Sequence, residues 1–435
     1  MGKDSAEFAN DLINFIYESP TAYHAVSCTK ATLDKNNFKE LKANEKWNIK
    51  AGGKYYVTSG DTALIAFSTG MGDVTKGFRI IGAHNDSPTF KIKPAHEINY
   101  KDTYVKLNTE VYGGPILSTW FDRPLALAGK VSLKGSNAFK PKMEIININK
   151  PLMVIPNLAI HFNREVNDGY KYNAQKDTLP LLALINGEME KENVLIKTIA
   201  KHMGVNFEDI VDFELFLYEY EKGKIIGLNE EFISSPRLDD LWMVYAGLNA
   251  LVDSDESEHI KVLLTLDHEE VGSGSAQGAN SAFILNTLKR IAENLGACDE
   301  DFHIALANSM AISSDLAHAV HPNYEDKHDP INRPVLGKGP VLKYSAKQKY
   351  ITTVYSASVF AACCENAGVP YQKYANRSDI LGGSTIAHFL AANLAIDVVD
   401  MGNPILGMHS VRELGAVCDN EYIYKAFKEF YSCKA

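Results

Sequence analysis

Two hydrophobic patterns alternate near both ends of the chain. Continuous apolar runs are typical of buried strands, whereas apolar residues spaced three and four apart are typical of amphipathic helices. The first pattern predicts strands at Ala63–Ser68, Phe78–Ile81, Ile260–Leu266, His303–Ala307 and, as the last strand, Asp397–Met401. The second pattern predicts helices at Ala6–Tyr17, Leu241–Leu251 and Ser281–Leu295. Strands and helices that alternate in this way predict an α/β fold.

The middle of the chain has a different pattern. Short strand-like runs, separated by Gly and Asn turns, occur at Tyr104–Leu107, Leu125–Leu133 and Asp212–Glu219, with one helix predicted at Lys191–Met203. We therefore predict a β-rich domain at residues 93–233, inserted into a discontinuous α/β domain made of residues 1–92 and 234–435. A chain of 435 residues is long enough for two such domains.

Composition narrows the classes of partner. Apolar residues make up 46% of the chain, which is enough for a sizeable core, and the net charge of −10 disfavours a nucleic-acid partner. The chain has no apolar run of membrane-spanning length and no signal-peptide core at its start, so neither a membrane span nor export is expected. The six cysteines form no Cys-x-x-Cys pair, which favours reduced thiols and a cytoplasmic protein.

The stretch Leu266–Ala279 contains the first candidate chemistry. Its predicted strand delivers Glu269 and Glu270 to the carboxyl end of the sheet, where ligands bind in open α/β folds. One carboxylate of such a pair can coordinate a metal while the other serves as a general base. Taken alone, however, a Glu-Glu pair is more often part of a solvated acidic loop.

Other strand ends and loops add further candidates. His84 and Asp86 leave a strand together, and a carboxylate at that spacing can orient a metal-binding imidazole. Asp239 and Asp240 begin a predicted helix, where acids commonly complement the helix dipole. The residues with metal-ligand chemistry at these ends are His84, Asp239, Glu269, Glu270, Asp315 and His409. Two histidines and four carboxylates without a thiolate suit a two-metal hydrolytic centre, with zinc the usual ion.

Five motifs resemble the aspartyl aminopeptidase family of dinuclear zinc aminopeptidases, which also includes the vacuolar aminopeptidase I type. They are Gly82–Pro88, Ser235–Asp240, Asp267–Ala279, Ser314–Tyr324 and Met408–Glu413, and they occur in the order of the family. The likeness extends from Ser19 to the end of the chain. It implies a zinc-exopeptidase-like fold, in which helices flank a central mixed sheet. It also implies that a β-rich dimerisation domain is inserted into this proteolytic domain.

The resemblance also implies a role for each candidate residue. His84 and Asp315 would bind one zinc ion, Glu270 and His409 the other, and Asp239 would bridge them; Glu269 would be the catalytic base, and Asp86 would support His84. Asp315, His318, Lys343 and Tyr350 match substrate-binding positions, and His161, which pattern alone treats as structural, matches a histidine that reaches a neighbouring subunit's site. Family members assemble from dimers into tetrahedral homododecamers.

Asp240 departs from the family pattern, because asparagine is expected there in many relatives. The extra acid leaves manganese and cobalt as alternative ions. The expected reaction is removal of N-terminal residues from peptides with a free amine, and acidic Asp or Glu is one candidate preference suggested by Lys343. Two alternatives stay open at this point: a two-metal N-acyl amino acid deacylase, and a non-catalytic shell protein.

Overall fold

The computed structural model describes residues 5–186 and 192–433. Its helices, numbered in chain order, are α1 (Ser5–Tyr17), α2 (Ala22–Lys35), α3 (Val194–Met203), α4 (Leu238–Asp253), α5 (Phe283–Asn294), α6 (Asp299–Ala307), α7 (Val354–Asn366), α8 (Ala387–Leu394) and α9 (Val417–Ser432). Its strands are β1 (Lys39–Leu41), β2 (Lys54–Ser59), β3 (Ala63–Ser68), β4 (Phe78–His84), β5 (Thr89–Tyr100), β6 (Tyr104–Tyr112), β7 (Leu125–Leu133), β8 (Lys142–Met153), β9 (Leu181–Leu184), β10 (Ile210–Glu219), β11 (Lys224–Ile226), β12 (Phe232–Ser235), β13 (Ile260–Leu266), β14 (Met310–Ser314), β15 (Ala317–His318), β16 (Val341–Tyr344), β17 (Gln372–Ala375), β18 (Asp397–Gly402), β19 (Pro404–Ile405) and β20 (Glu413–Ala416).

The chain divides into two compact units. The first contains Met1–Asp86, Gly223–Met408 and Glu413–Ala435, and the second contains Ser87–Lys222 and His409–Arg412. The sequence placed the domain boundaries after residues 92 and 233, whereas the units change after Asp86 and Lys222. The four residues from His409 to Arg412 could not be assigned to the second unit from a local pattern, because they are far from its other residues in the chain.

The first unit is organised around a mixed sheet. Over the described residues the strand order is β1-β2-β3-β13-β4-β14-β18-β16-β17. Strands β13, β4, β14 and β18 run parallel to their neighbours within this group, while β3 and β16 are antiparallel to the strands next to the group. Leu266 is in register with His84, and Ser313 with Gly82. The carboxyl ends of the three strands that carry candidate ligands therefore lie side by side.

Both faces of this sheet are buried. Ile81 and Leu263 belong to one hydrophobic cluster with residues of α1, α4, α7 and α9, whereas Ile80 and Val262 belong to another with residues of α5, α6 and α8. Successive residues of a strand point to opposite faces, so strands between two helical layers need apolar residues at every position. This explains the continuous apolar runs, and the predicted α/β fold with flanked mixed sheet is confirmed.

The second unit is an antiparallel sheet with one packed helix. Its strand order over the described residues is β8-β7-β10-β5-β6-β9, and each adjacent pair is antiparallel. Leu195 and Ile199 of α3 join the cluster that covers one face of the sheet. The helix ends at Gly204, which has a left-handed conformation. The predicted first residue of this helix, Lys191, lies outside the described residues.

One predicted element was wrong, and one strand was predicted at the right residues but is not the last. His303–Ala307 was predicted as a strand, but it is the end of helix α6, and the strand follows at Met310–Ser314. Helix α6 has three acids in its first turn and a capping box between Cys298 and Asp301, and both features stabilise a helix start. Asp397–Met401 is not the last strand, since β19 and β20 follow it. Among the described residues, no helix combines the length and apolarity needed to cross a bilayer.

Candidate metal centre

His84 is the last residue of β4, and its side chain is buried. Its Nδ1 lies 3.0 Å from the carbonyl oxygen of Asp86 and 3.4 Å from Asp86 Oδ1. In the neutral imidazole, Nδ1–H therefore donates to Asp86, and the lone pair is left on Nε2. Nε2 lies 3.5 Å from Asp239 Oδ1. The ring is thus oriented with its ligand atom towards a buried carboxylate.

Three buried acids surround this histidine. Ligand atoms of His84, Asp239, Asp240 and Asp315 all lie within 4.8 Å of one another. Burial raises the pKa of Asp240 well above its usual value, and the neighbouring acids Asp315 and Asp239 raise it further. Asp240 Oδ2 accepts a hydrogen bond from the backbone N–H of His84 at 3.2 Å, whereas Oδ1 is buried and has no hydrogen-bond partner among the described residues.

This arrangement fits a cation. Several carboxylates packed into a low-dielectric site repel one another unless protons or a positive ion compensate their charge. Burial alone would lower the pKa of His84, yet Asp240, Asp239 and Asp86 raise it well above the usual value, which reflects the same excess of negative charge. One imidazole nitrogen and several carboxylate oxygens form a donor set that zinc accepts.

The two aspartates of α4 are not ordinary acids of a helix start. Asp239 and Asp240 have non-helical backbone angles, and a cis peptide bond joins them. The backbone N–H of Asp239 donates to Glu413 Oε2 at 3.0 Å, and both aspartates are buried. The dipole interpretation requires acids within the first turn of a regular helix, and the non-helical backbone of these residues does not provide one.

Glu269 and Glu270 begin a short 3-10 turn after β13. Their backbone N–H groups donate to the two oxygens of Asp86, each at 3.1 Å. Asp86 therefore connects the turn that carries the glutamates with the histidine of β4. Burial raises the pKa of Glu269 to about 8, and Asp315, Asp86 and Asp239 contribute to the rise. A nearby cation would favour the charged form and lower this value towards neutrality.

His409 belongs to the second unit and has a left-handed backbone, with φ at 65°. Its Nδ1 lies 3.0 Å from the carbonyl oxygen of Gly114. In the neutral ring this bond leaves Nε2 as the ligand atom, as in His84.

Among the predicted substrate-binding residues, Lys343 lies deepest. Its side chain is 2% exposed, and Nζ donates to the carbonyl oxygen of Asp315 at 2.8 Å. The ammonium lies 5.1 Å from the Tyr350 ring centroid. Tyr350 and His318 both pack against the ring of Tyr374, at centroid distances of 6.3 and 6.1 Å. These side chains therefore form one group next to the candidate ligand Asp315.

His161 lies in the second unit on the 3-10 turn Ile160–Phe162. It is exposed, and the apolar side chains on either side of it are 45% and 80% exposed. An interaction with a neighbouring subunit stays a prediction for this residue.

Sequence reasoning missed Asp400, a fully buried acid of β18 that lies 3.6 Å from Lys343 Nζ. The available signal was a single carboxylate in the otherwise apolar run Val398–Met401, since buried charges are rare unless they are paired.

An α/β unit with a histidine and carboxylates gathered at parallel strand ends defines the site of a metal-dependent hydrolase. Residues 15–431 match the family described as aminopeptidase I zinc metalloprotease (M18). The chain is 54% identical over 431 residues to the probable M18 family aminopeptidase 2 of Clostridium acetobutylicum. The alignment covers 99% of this chain and 100% of that protein. It therefore belongs to the aminopeptidase I (M18) family of zinc metalloproteases, and it is a metallo-aminopeptidase.

Solved structures agree with this assignment. A chain of the Ape4 and Nbr1 complex, solved by cryo-EM, superimposes with a TM-score of 0.95 at 36% identity, over 98% of this chain and 86% of that one. A chain of the S. cerevisiae mApe1 dodecamer superimposes with a TM-score of 0.84 at 27% identity, over 97% and 96% of the two chains. The family resemblance seen in the five motifs is confirmed.

Proposed function

We propose that this aminopeptidase holds two zinc ions per subunit. His84 and Asp315 would bind the first ion, Glu270 and His409 the second, and Asp239 would bridge them. The observation that carries the proposal is the buried group of one histidine and three aspartates whose ligand atoms lie within 4.8 Å of one another. Manganese and cobalt are alternative ions, because the additional carboxylate of Asp240 is a hard oxygen donor.

Glu269 is the general base of the proposed mechanism. When bound, the two cations polarise the carbonyl of the first peptide bond and make water easier to ionise. Glu269 accepts a proton from the attacking water and then donates it to the nitrogen of the departing peptide. Asp86 positions Glu269 and His84, since it accepts hydrogen bonds from the Glu269 backbone N–H and from His84 Nδ1–H.

Replacing Glu269 by Gln tests this role. The variant keeps the size of the side chain but removes the base, so kcat should fall by about 10²- to 10⁴-fold while the bound zinc stays at the wild-type amount. Zinc is measured by atomic emission and kcat with an aminoacyl-nitroanilide. The exposed Glu293 of α5 provides the matched Glu→Gln control. Near-normal turnover of the Glu269 variant would show that another group moves the proton.

Substrates are proposed to be peptides with a free N-terminal amine, held by His318, Lys343, Tyr350 and, from a neighbouring subunit, His161. Acidic N-terminal residues are one candidate preference, although a substrate carboxylate would share the Lys343 ammonium with Asp315 and Asp400. A panel of aminoacyl-nitroanilides, assayed with zinc, manganese and cobalt, tests both points. If Asp and Glu substrates rank last, the acidic preference is wrong. Cleavage of N-acetylated dipeptides in preference to free ones would instead favour a deacylase.

We also propose that residues 93–233 form a dimerisation domain and that dimers assemble into a tetrahedral homododecamer. The similarity to a chain of the mApe1 dodecamer supports the assembly, and the exposed apolar residues beside His161 support a subunit contact there. Native mass spectrometry would give the oligomer size, and a monomer at micromolar concentration would contradict the proposal. We propose a cytoplasmic location, which cell fractionation tests. All six cysteines lie in the described part of the chain and none is in a disulfide, which is consistent with this location.

A further inference from the structure

Three buried charged side chains occupy neighbouring strands of the first unit. Asp315 follows β14, Asp400 lies on β18, and Lys343 lies on β16, in the sheet order β14-β18-β16. Lys343 Nζ lies 3.7 Å from Asp315 Oδ1 and 3.6 Å from Asp400 Oδ1. The Lys343 side chain therefore extends from β16 towards the end of β14. Its ammonium lies near one carboxylate of β18 and one carboxylate that follows β14.

Asp400 is itself held in place from two directions. Its Oδ2 accepts a hydrogen bond from the Thr385 hydroxyl at 2.7 Å, and its backbone N–H donates to Thr352 Oγ1 at 2.9 Å. The side chain is fully buried. These contacts give Asp400 a fixed carboxylate next to a lysine whose long side chain has several rotatable bonds.

Lys343 in turn holds the backbone that carries Asp315. Its ammonium donates to the carbonyl oxygens of Asp315 at 2.8 Å and of Leu316 at 3.3 Å. Asp315 is the proposed ligand of the first zinc ion, so the position of Lys343 affects where that ligand lies. Substituting a residue that hydrogen-bonds a metal ligand typically weakens metal binding by about 10- to 100-fold.

We propose that Asp400 is a positioning residue for the first metal ion: it holds the Lys343 ammonium, and Lys343 holds Asp315. The inference rests on the proposed role of Asp315 as a ligand. Without the Asp400 carboxylate, which lies 3.6 Å from the ammonium, Lys343 is left with Asp315, at 3.7 Å, as its carboxylate partner. The ammonium then moves towards Asp315 and competes with the cation for its oxygens, so the metal ion binds more weakly.

The test measures binding of Co²⁺ to the full-length protein, without substrate, by competition with a chelator. Asp400→Asn should weaken binding of one Co²⁺ by about 10- to 100-fold and shift the visible absorption spectrum of the bound ion. Lys343→Met removes the competing ammonium, so adding Asp400→Asn to Lys343→Met should cause no further weakening. Wild-type affinity in Asp400→Asn, or additive effects in the double variant, would overturn the inference.

Two controls separate structural damage from the proposed effect. Asp419→Asn removes another fully buried acid, which accepts N–H bonds from Gly337 and Gly339 and lies on α9, so it should leave Co²⁺ affinity unchanged. Thr385→Val keeps both charges but releases Asp400, and it should weaken binding in the same direction. This variant tests the inference even if Asp400→Asn does not fold, and unchanged affinity in it would then refute the inference.

Asp315→Asn distinguishes this inference from the proposed ligand set. If Asp315→Asn binds both ions as tightly as the wild type, the ligand assignment fails, and the inference fails with it. If Asp315→Asn loses one ion while Asp400→Asn and Thr385→Val keep wild-type affinity, the ligand set stands and only the role of Asp400 is wrong.

Discussion

Asp86→Asn tests how one buried carboxylate positions the proposed general base. The Asp86 carboxylate accepts the N–H groups of Glu269 and Glu270, each at 3.1 Å, and its backbone carbonyl accepts from His84. Asparagine has nearly the same shape but only one oxygen. Its amide nitrogen would face one of the two N–H groups, donor to donor.

The magnitude follows from this lost acceptor. A hydrogen bond to a charged group contributes about 1.5–3 kcal/mol, and the N–H group left unpaired is included in that cost. If the whole loss falls on the placement of Glu269 in the transition state, kcat/KM decreases by about 10- to 150-fold, since 1.36 kcal/mol corresponds to a factor of ten. Most of the decrease should appear in kcat, because Asp86 contacts Glu269 and His84, the proposed base and a proposed metal ligand, and is not among the proposed substrate-binding residues.

The assay is steady-state hydrolysis of an aminoacyl-nitroanilide, with zinc content and thermal unfolding measured on the same samples. Asp419→Asn is the matched control: Asp419 is also buried and accepts two backbone N–H groups, but from Gly337 and Gly339, so kcat/KM should stay close to the wild-type value. If Asp86→Asn keeps its zinc and loses less activity than the control, the proposed connection between Asp86 and Glu269 is refuted.

Three further predictions concern stability. Burial, together with Arg237, lowers the pKa of His24 to about 4. The free energy of unfolding should therefore decrease by up to about 3 kcal/mol as pH falls from 6.5 to 4. His24→Gln should flatten this part of a pH–stability curve, and an unchanged curve would contradict the lowered pKa of His24. Gly415→Ala would place a Cβ 2.3 Å from the buried Trp242 ring and should destabilise by about 1–3 kcal/mol in urea unfolding, whereas Gly383→Ala, with open space, should be neutral. Removing the metal with a chelator should lower Tm, and re-added zinc should restore it; a Tm that does not respond to either would contradict a metal site among buried acids.

Much of the fold was predictable because its strands are buried on both faces. Ile260–Leu266 and Leu125–Leu133 match the observed strands at both ends, since a continuous apolar run or a run between clear turns has few alternatives. The error at His303–Ala307 has a local cause. The segment is short and apolar by itself, but the acids and the cap that precede it start a helix, which continues through these residues.

Less of the candidate site than of the fold could be predicted from local sequence patterns. Motif recognition supplied the candidate ligands, because a metal centre requires particular donor atoms and these are visible as residue identities. Local pattern failed for Asp239 and Asp240, which resembled helix-start acids but are buried with non-helical backbone. It also failed for Asp400, whose partner Lys343 is far away in the sequence and becomes a neighbour only through the order of β16 and β18.

The sequence by itself determined which side chains were available and where strands end, since hydrophobic periodicity and donor chemistry are local properties. Only the tertiary structure decided which of those ends meet. Parallel pairing of β13, β4 and β14 brings together residues that are remote in the chain, and burial then turns separate acids into one site of excess negative charge. Distances between elements depend on sheet order and register, and these are properties of the packed chain as a whole.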